Sequence, residues 1–442
     1  VLLHFFSYDN VNCWHMLPDL AYLYSSYADG LSIIGVHTPK YPHQQASDNV
    51  LKAVNRLGIQ HAVVNDAAFE LWQRFGVEAW PTVVLIDAEG QVAGVFAGEG
   101  QRRLLDETIA DLLDEAAERD LRIYEADPPA LRLEPRLPLL FPGKVLATDS
   151  FLYISDSGHH RVLECSHDGR IQRQFGSGQS GFVDGHETAA ALRDPQGLSL
   201  HDGYLYIADR GNHAVRRVNL QKGDLDTVLG TGALGRSRPR AGDARSTAMA
   251  SPLDVLASGR HLHVAVAGQH QLWRMDLLSG EVDAWAGDGS RGTADGAAET
   301  ASFAQPSDIA LFGPQLLVVD AASSAIRAVR LMDGRVRSLI GAGEYAFGDA
   351  SGNRSAARLQ NPLALAVDPR GVVFVADSYN NRIKVLSVKT GELRALNIQY
   401  RFSEPSGLSV ASGALWVANT NLHEIVRVDL ASGVGSSITV SD

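Results

Sequence analysis

Cysteine and histidine side chains offer the most reactive chemistry in this chain. Cys13 and Cys165 are its only two cysteines, and a pair so far apart excludes the disulfide-built scaffold of a small secreted domain. Cys13 opens a predicted helix. A thiol at a helix N-terminus can ionise and exchange disulfides, whereas a thiol buried among apolar groups is inert.

Four histidines recur at one position of a repeated unit, and convergent imidazoles could bind a metal such as zinc. They are His160, His213, His270 and His423. Repetition alone does not show convergence, and a histidine at this position can also pack against its turn and hydrogen-bond it. We therefore predict no metal site and no cofactor.

A repeat fills the chain after about residue 140 and must position these histidines. Its clearest copy is Leu205–Val218, and each of six units opens on a proline: Pro142, Pro195, Pro252, Pro306, Pro362 and Pro405. Each unit contains four short β-branched runs separated by turn residues. One small sheet cannot bury both of its faces alone, so six units predict a six-bladed β-propeller.

The repeat resembles the NHL repeat in its Asp-x-x-Asn-His-Arg-Ile/Val-x-x-Val pattern and in openings such as Pro195-Gln-Gly-Leu198. This resemblance implies an all-β NHL propeller over residues 139–442. The connections between blades should lie on the same face as the Asp-x-x-Asn-His turns, and we call this the loop face.

The first 124 residues alternate predicted strands and helices, which indicates an α/β domain with a mixed sheet. The predicted strands are 1–6, 31–37, 62–65, 82–86 and 92–96, and the predicted helices are 13–27, 46–57, 67–75 and 101–120. A proline-rich, semi-rigid connector is predicted at 125–138. Residues 131–133 could instead add a strand to the propeller edge, and residues 435–440 should form the outer strand of the sixth blade.

Two segments of this domain resemble thioredoxin-like proteins. Residues 76–86 resemble the cis-proline segment, with Pro81 as the cis candidate, and residues 13–18 resemble the second half of the active-site helix. Residues 34–39 and 61–66 resemble a subgroup that fuses such a domain to an NHL propeller, namely the animal NHL-repeat-containing and plant suppressor-of-quenching proteins. The resemblance covers both domains and implies a redox-associated setting.

The chain departs from that subgroup at the redox site. The subgroup carries Cys-Cys-x-Asn-Cys before the helix, and here the five positions are Asp9-Asn-Val-Asn-Cys13. The leading thiol attacks the target disulfide and the second thiol resolves the intermediate, and the amide of Asn10 can do neither. We predict that Cys13 is a packed residue. The alternative is a single-thiol enzyme with Cys13 beside Asn10, Asn12, Trp14, Trp80 and Pro81.

Four inter-blade connections carry a second, smaller repeat in which an aspartate adjoins a glycine. Insertions gathered on one propeller face usually form its binding surface, although each could simply be a structural cap between blades. One arginine-rich loop could meet an acidic partner or RNA, or be solvated. The candidate binding residues are Asp184, Asp295, Asp349, Arg210, His213, Arg238 and Arg240.

Composition narrows the function classes. The chain has 45% hydrophobic and 20% charged residues, as in ordinary globular proteins, and it contains no apolar run long enough to predict a membrane span. A net charge of −12 repels phosphate backbones and disfavours nucleic acid as a partner. The chain opens on Val1 with no methionine, so we expect that a targeting segment could precede it. The compartment stays open, with the cytoplasm slightly favoured.

The sequence thus predicts an α/β thioredoxin-like domain followed by a six-bladed NHL propeller, acting as a redox-associated scaffold. The degenerate Asn10-x-x-Cys13 site argues against dithiol chemistry, and the loop face is predicted to bind a protein or peptide partner. Two alternatives remain, a redox enzyme that uses Cys13 and an RNA-binding propeller. RNA binding would show a steep salt dependence.

Overall fold

The computed structural model describes residues 1–121, 134–135, 137–236 and 242–441. Contacts within the chain divide it into two units, Val1–Arg136 and Leu137–Asp442. Most of the predicted connector lies outside the described residues, including the alternative strand at 131–133. The candidate binding residues Arg238 and Arg240 lie outside them as well.

The first unit is the predicted α/β domain, built on a five-stranded mixed sheet in the order β3-β2-β1-β4-β5. β1, β2 and β3 are parallel, whereas β4 runs antiparallel to both β1 and β5. The strands are β1 Leu2–Phe6, β2 Ile33–His37, β3 Ala62–Asn65, β4 Thr82–Ile86 and β5 Val92–Ala97. The helices are α1 Val11–Ser26, α2 Ser47–Arg56, α3 Glu70–Arg74 and α4 Arg102–Glu118.

One predicted helix, 67–75, is shorter in the structure because local contacts delay its start. Phe69 adopts a left-handed backbone with φ 62°, which helical residues do not. The Asp66 carboxylate accepts hydrogen bonds from the N–H groups of Leu71 and Trp72 at 3.1 and 2.9 Å. These bonds satisfy the first turn of α3 from outside, so the helix begins only at Glu70.

The two faces of this sheet bury different apolar clusters. On one face, Leu2 and Val83 pack against Met16 of α1 and Leu105 of α4. On the other face, Phe5 belongs to a cluster that includes side chains of α3. Because α1 packs against this face of the sheet, its N-terminus is fixed relative to the ends of β1 and β4.

The second unit is a six-bladed propeller, and each blade is an antiparallel sheet whose first strand is innermost. Blade 1 contains Lys144–Ala147, Leu152–Asp156, Arg161–Cys165 and Ile171–Phe175. Blade 2 contains Pro195–His201, Tyr204–Asp209, Ala214–Asn219 and Asp224–Leu229. Blade 3 contains Pro252–Ser258, His261–Val266, Gln271–Asp276 and Glu281–Ala286.

The remaining blades follow the same plan. Blade 4 contains Pro306–Phe312, Gln315–Asp320, Ala325–Arg330 and Val336–Ile340. Blade 5 contains Ala364–Val367, Val373–Asp377, Arg382–Ser387 and Glu392–Ala395. Blade 6 contains Pro405–Ala411, Ala414–Asn419, Glu424–Asp429 and Gly435–Ile438. Blades 2 and 3 each gain a two-residue strand that the sequence pattern did not predict, Gly185–His186 and Gly242–Asp243, which pairs with the outer strand.

The ring closes between blade 6 and blade 1. The outer strand of blade 6 comes from the C-terminal segment, where the sequence predicted it, and the chain then reaches blade 1. Ile171 donates its N–H to the carbonyl of Ser441 at 2.8 Å, and Ser441 donates to Gly169 at 3.1 Å. A Cβ at Gly169 would lie 2.2 Å from the Thr439 carbonyl oxygen. Glycine is therefore required for this close approach.

Candidate functional site

The N-terminus of α1 holds the degenerate redox site. Asn10 is the N-cap of the helix, and its side-chain oxygen accepts a hydrogen bond from the Asn12 N–H at 2.9 Å. Asparagine is among the best N-cap residues because this bond satisfies an otherwise unpaired helix donor. The residue that replaces the leading thiol thus performs a structural task that stabilises α1.

Cys13 lies in the first turn of α1 and is 1% exposed. Its N–H donates to the Asn10 carbonyl at 3.0 Å. Neighbouring Trp14 is half-buried and donates its ring N–H to the Tyr8 carbonyl at 2.8 Å. A thiol this deeply buried is not open to a bulky disulfide substrate.

The predicted cis proline lies at the same end of the sheet. The Trp80–Pro81 peptide bond is cis, and β4 begins directly after it, with Thr82 paired to Phe5 of β1. β1 ends at Phe6, just before the loop that leads into α1. The register therefore brings Pro81 and the N-terminus of α1 to one edge of the sheet.

Three buried histidines stand in the same unit, and the sequence analysis assigned them no role. His4 and His37 are fully buried, and His61 is 8% exposed. Burial lowers the pKa of His4 to about 3 and the pKa values of His37 and His61 to about 4. All three imidazoles are therefore neutral at neutral pH. His4 and His37 lie within the apolar runs of β1 and β2, and His61 directly precedes β3. These positions were the sequence signal that the three imidazoles would be buried.

On the loop face, the repeated histidines hold neighbouring blades together. Each of His160, His213 and His423 has a left-handed backbone, and its Nδ1 accepts a backbone N–H from the next blade around the ring. The donors are Asp194, Ser251 and Phe141, at 3.2, 3.1 and 3.0 Å. Ser324 and Asn381 accept the equivalent bond in blades 4 and 5. These histidines are structural acceptors and do not converge as metal ligands.

The aspartates at the ends of the second strands, with Asn419 in blade 6, also serve structure. Each accepts a backbone N–H from the inter-blade connection, fifteen to seventeen residues earlier in the chain. The pairs are Leu140 with Asp156, Arg193 with Asp209, Gln305 with Asp320, Gln360 with Asp377 and Ser403 with Asn419. Sequence spacing could not show this, because the partner lies across a loop.

Three candidate binding aspartates belong to buried ion clusters. In blade 2, Arg216 is fully buried between Asp184 and Asp209, at 2.7 and 2.9 Å. The same cluster recurs as Asp295–Arg327–Asp320 in blade 4 and as Asp349–Lys384–Asp377 in blade 5. The sequence analysis missed the central cations, which stand seven residues after each turn aspartate.

In blades 2 and 4 the cluster favours the charged form of its outer carboxylate. Burial alone would raise the pKa of Asp184, but hydrogen bonds from Thr227 and Arg216 outweigh it, so the pKa lies below its usual value. Asp295 behaves in the same way through Ser338 and Arg327. These aspartates remain partly exposed, with side-chain exposures between 35 and 52%. Each one is therefore a structural cap whose outer edge still faces solvent on the loop face.

The other described candidates are also engaged in the fold. Arg210 pairs with Asp194 of the preceding connection, and His213 accepts the Ser251 N–H. Arg210 is 14% exposed at its side chain. Arg245, which follows Arg238 and Arg240 at the end of the arginine-rich loop, forms a surface pair with Asp226. The structure thus places Arg210, His213 and Asp184 in blade 2, Asp295 in blade 4 and Asp349 in blade 5, all on the loop face.

A charged cluster spans the central channel and was also missed by the sequence analysis. Lys144, on the inner strand of blade 1, pairs with Asp308 on the inner strand of blade 4 and donates to the Leu363 carbonyl at 2.7 Å. Asp254 of blade 3 stands beside them, and burial together with Asp308 raises its pKa well above the usual value. The sequence signal for this cluster was the presence of charged residues at one shared position of otherwise apolar inner strands.

Two kinds of feature are absent from the described parts of the chain. Among these residues, no three or more His, Cys, Asp or Glu side chains are grouped so that they could hold a metal ion. No helix in the same residues is both long and apolar enough to cross a membrane.

Comparison with known proteins matches both units. A thioredoxin-like family model matches residues 1–92, and the NHL repeat model matches residues 359–386. NHL repeat-containing protein 2 of Homo sapiens is 35% identical over 500 residues, covering 100% of this chain and 68% of that protein. Protein SUPPRESSOR OF QUENCHING 1, chloroplastic, of Arabidopsis thaliana is 35% identical over 481 residues, covering 99% of this chain and 45% of that protein.

A third relative matches only the first unit. Protein DipZ of Mycobacterium bovis is 35% identical over 117 residues, which cover 26% of this chain and 17% of that protein. The full-length matches therefore concern the joined pair of domains, and this partial match concerns the thioredoxin-like domain.

Proposed function

Because the chain belongs to the family of NHL repeat-containing protein 2, we propose that it is a redox-associated scaffold that has lost dithiol chemistry. Family membership supports the redox-associated setting. The residues of this chain support the loss, since the position of the leading thiol is Asn10 and the remaining thiol is buried.

The observation that carries the proposal is the N-cap bond of Asn10 to Asn12 at 2.9 Å. As a good N-cap residue, Asn10 stabilises α1 by about 1 kcal/mol. It therefore has a structural role at this position even though it has no thiol chemistry. Cys13, 1% exposed, packs beneath this cap. The domain then contributes surface and stability to the protein, with no electron transfer through a dithiol.

Binding of a protein or peptide is proposed for the loop face of the propeller. The buried ion clusters anchor the inter-blade connections of blades 2, 4 and 5. A surface whose loops are anchored loses little conformational freedom on binding, which favours affinity. Exposed apolar side chains on this face, Phe182 and Val183, can contribute buried area at an interface.

The redox part of the proposal is tested by thiol reactivity in the intact chain, with Cys165→Ser as the background. Cys165 is buried and its pKa is raised to about 12 by burial, so removing it leaves Cys13 as the single thiol. We expect Cys13 to resist iodoacetamide at every pH up to about 9 and to react only after urea unfolding. Rapid native-state alkylation with an apparent pKa well below about 8.5 would establish a reactive thiol instead.

The binding part is tested by site-specific photocrosslinking from the full chain in cell extract. A benzoylphenylalanine at Val183 probes the loop face, and matched probes at Leu278 and Met332 lie in turns between third and outer strands, on the opposite face. Val183 is 49% exposed and the two control positions are 82% exposed. A discrete protein adduct from Val183 alone is expected. Equal labelling from all three positions, or from the control positions alone, would contradict a loop-face partner.

A further inference from the structure

Blade 4 contains an open pocket on the loop face. In blade 2 the equivalent space is filled by the side chain of Phe182. The pocket has a volume of about 270 Å³. Its walls include Thr293, Asp295, Ser338, the Gly341–Gly343 turn and Arg354. A closed apolar cavity of about 150 Å³ is enough to bind benzene, so this pocket has room for an aromatic ring.

Blade 2 shows what the same place looks like when it is occupied. Phe182 stands two residues before Asp184, and its ring lies 5.0 Å from the guanidinium carbon of buried Arg216. The ring covers Gly232, because a Cβ built on that glycine would lie 2.6 Å from the ring of Phe182. Phe182 therefore fills the space over the turn that follows the outer strand.

Blade 4 keeps the surrounding residues and lacks the ring. Asp295 and Arg327 occupy the positions of Asp184 and Arg216, but Thr293 stands where Phe182 would be. A Cβ built on Gly343, the equivalent of Gly232, would have no neighbouring atom within 4 Å. The Nε of Arg327, like that of Arg216, is buried and makes no hydrogen bond within the described residues. The ring of Phe303, in the connection that enters blade 4, already lies 5.3 Å from the Arg327 guanidinium carbon. Phe347 holds the same position before Asp349 in blade 5, and Ala241 holds it before Asp243 in the fourth copy of the small repeat. Aromatic residues therefore occupy this position in two of the four copies.

From this comparison within one molecule, we propose that the blade 4 pocket receives an aromatic side chain of a protein or peptide partner, in the place that Phe182 occupies in blade 2. The ring would lie over Gly343 and beside the buried charge of Arg327, which attracts a π face within about 6 Å. Arg354, 57% exposed at its side chain, borders the entrance. This inference rests on the proposed loop-face function and specifies one site for it.

The test uses N-acetylphenylalanine amide as the probe and the full chain with labelled alanine and threonine methyl groups. Ala342 reports on the blade 4 pocket, and Thr231 reports on the equivalent turn of blade 2. We expect the probe to shift the Ala342 methyl resonance and to leave Thr231 unchanged. N-acetylleucine amide, the aliphatic control, should bind more weakly.

Three variants decide between this site and nonspecific binding. Thr293→Phe should fill the pocket as blade 2 does and weaken the Ala342 response at least about tenfold. Thr293→Ser keeps the pocket open and should retain the response. Phe182→Thr should open a second pocket, so that Thr231 now responds to the probe as well.

Absence of an Ala342 shift, or a shift that Thr293→Phe leaves unchanged, would overturn the inference. Because this experiment needs no partner, its failure is distinct from failure of the proposed function, which the Val183 crosslink decides. Crosslinking from Val183 that persists in Thr293→Phe at full yield would equally exclude the pocket as the partner's anchor, while leaving the loop-face function intact.

Discussion

Replacing Arg327 by methionine should be among the most damaging single changes in the propeller. The Arg327 side chain is fully buried and donates to Asp295 at 2.9 Å and to the carbonyls of Ser302 and Ala294 at 3.0 and 2.9 Å. Its guanidinium also lies 3.5 Å from Asp320, whose side chain is fully buried. Methionine would leave that carboxylate without a counter-ion and would remove the donor of the Ser302 carbonyl, while the Ala294 carbonyl would still accept the Ser302 N–H at 3.1 Å. Breaking a buried pair from one side costs about 3–5 kcal/mol.

The matched control is Arg330→Met on the same strand. Arg330 pairs with Asp333 at the surface, where the two side chains are 48 and 40% exposed, and such pairs contribute about 0–1 kcal/mol. Arg327→Lys should lie between the two, because blade 5 places Lys384 in this position and satisfies both carboxylates at 2.8 Å.

The assay is hydrogen exchange of blade 4 peptides, measured by mass spectrometry across a urea series. It gives the opening free energy of this blade without assuming that both domains unfold together. We expect Arg327→Met to lower that free energy by at least about 3 kcal/mol and Arg330→Met by less than about 1 kcal/mol. Equal losses for the two variants would refute the assignment of the cluster as a stabilising element of the blade.

Two further predictions concern the buried histidines and the charged cluster of the central channel. His4, His37 and His61 have native pKa values of about 3 to 4, below the unfolded value of about 6.5, so their contribution to stability is full above pH 6.5 and is lost as the pH falls toward 4. Uptake of three protons on unfolding gives the free energy of unfolding a slope of about 4 kcal/mol per pH unit, and His4→Phe should remove a third of that slope. The measurement is urea unfolding of the thioredoxin-like domain, and a free energy of unfolding that does not change between pH 6.5 and 5 would contradict this prediction. Lys144→Met should destabilise the propeller by about 3–5 kcal/mol because Asp308 stays buried without its partner, and adding Asp308→Asn should recover most of that loss in thermal unfolding, whereas additive losses would argue against the pair.

The local pattern of residues was sufficient for both folds. Six proline-opened units with β-branched runs specify a propeller, because each unit forms one sheet and cannot bury its faces alone. Alternating strand and helix patterns specify the mixed sheet of the first domain in the same way. The loss of the leading thiol at Asn10 was equally a matter of sequence, since residue identity alone removes that chemistry.

The length of α3 was not predictable from its apolar spacing. The helix begins late because Phe69 is left-handed and the Asp66 carboxylate satisfies the N–H groups of Leu71 and Trp72. Both causes depend on how the chain enters the helix from β3. Periodicity in a short window does not contain that information.

Residue identity and spacing were enough to predict the architecture, the family resemblance and the missing dithiol. The roles of the repeated charges became visible only in the folded protein, because their partners come from other strands, loops and blades. Three of the four repeat histidines accept backbone N–H groups from the next blade, and Lys144 reaches Asp308 across the channel. The pocket beside Thr293 likewise depends on packing, since a missing ring becomes a cavity only where the surrounding blade is held rigid.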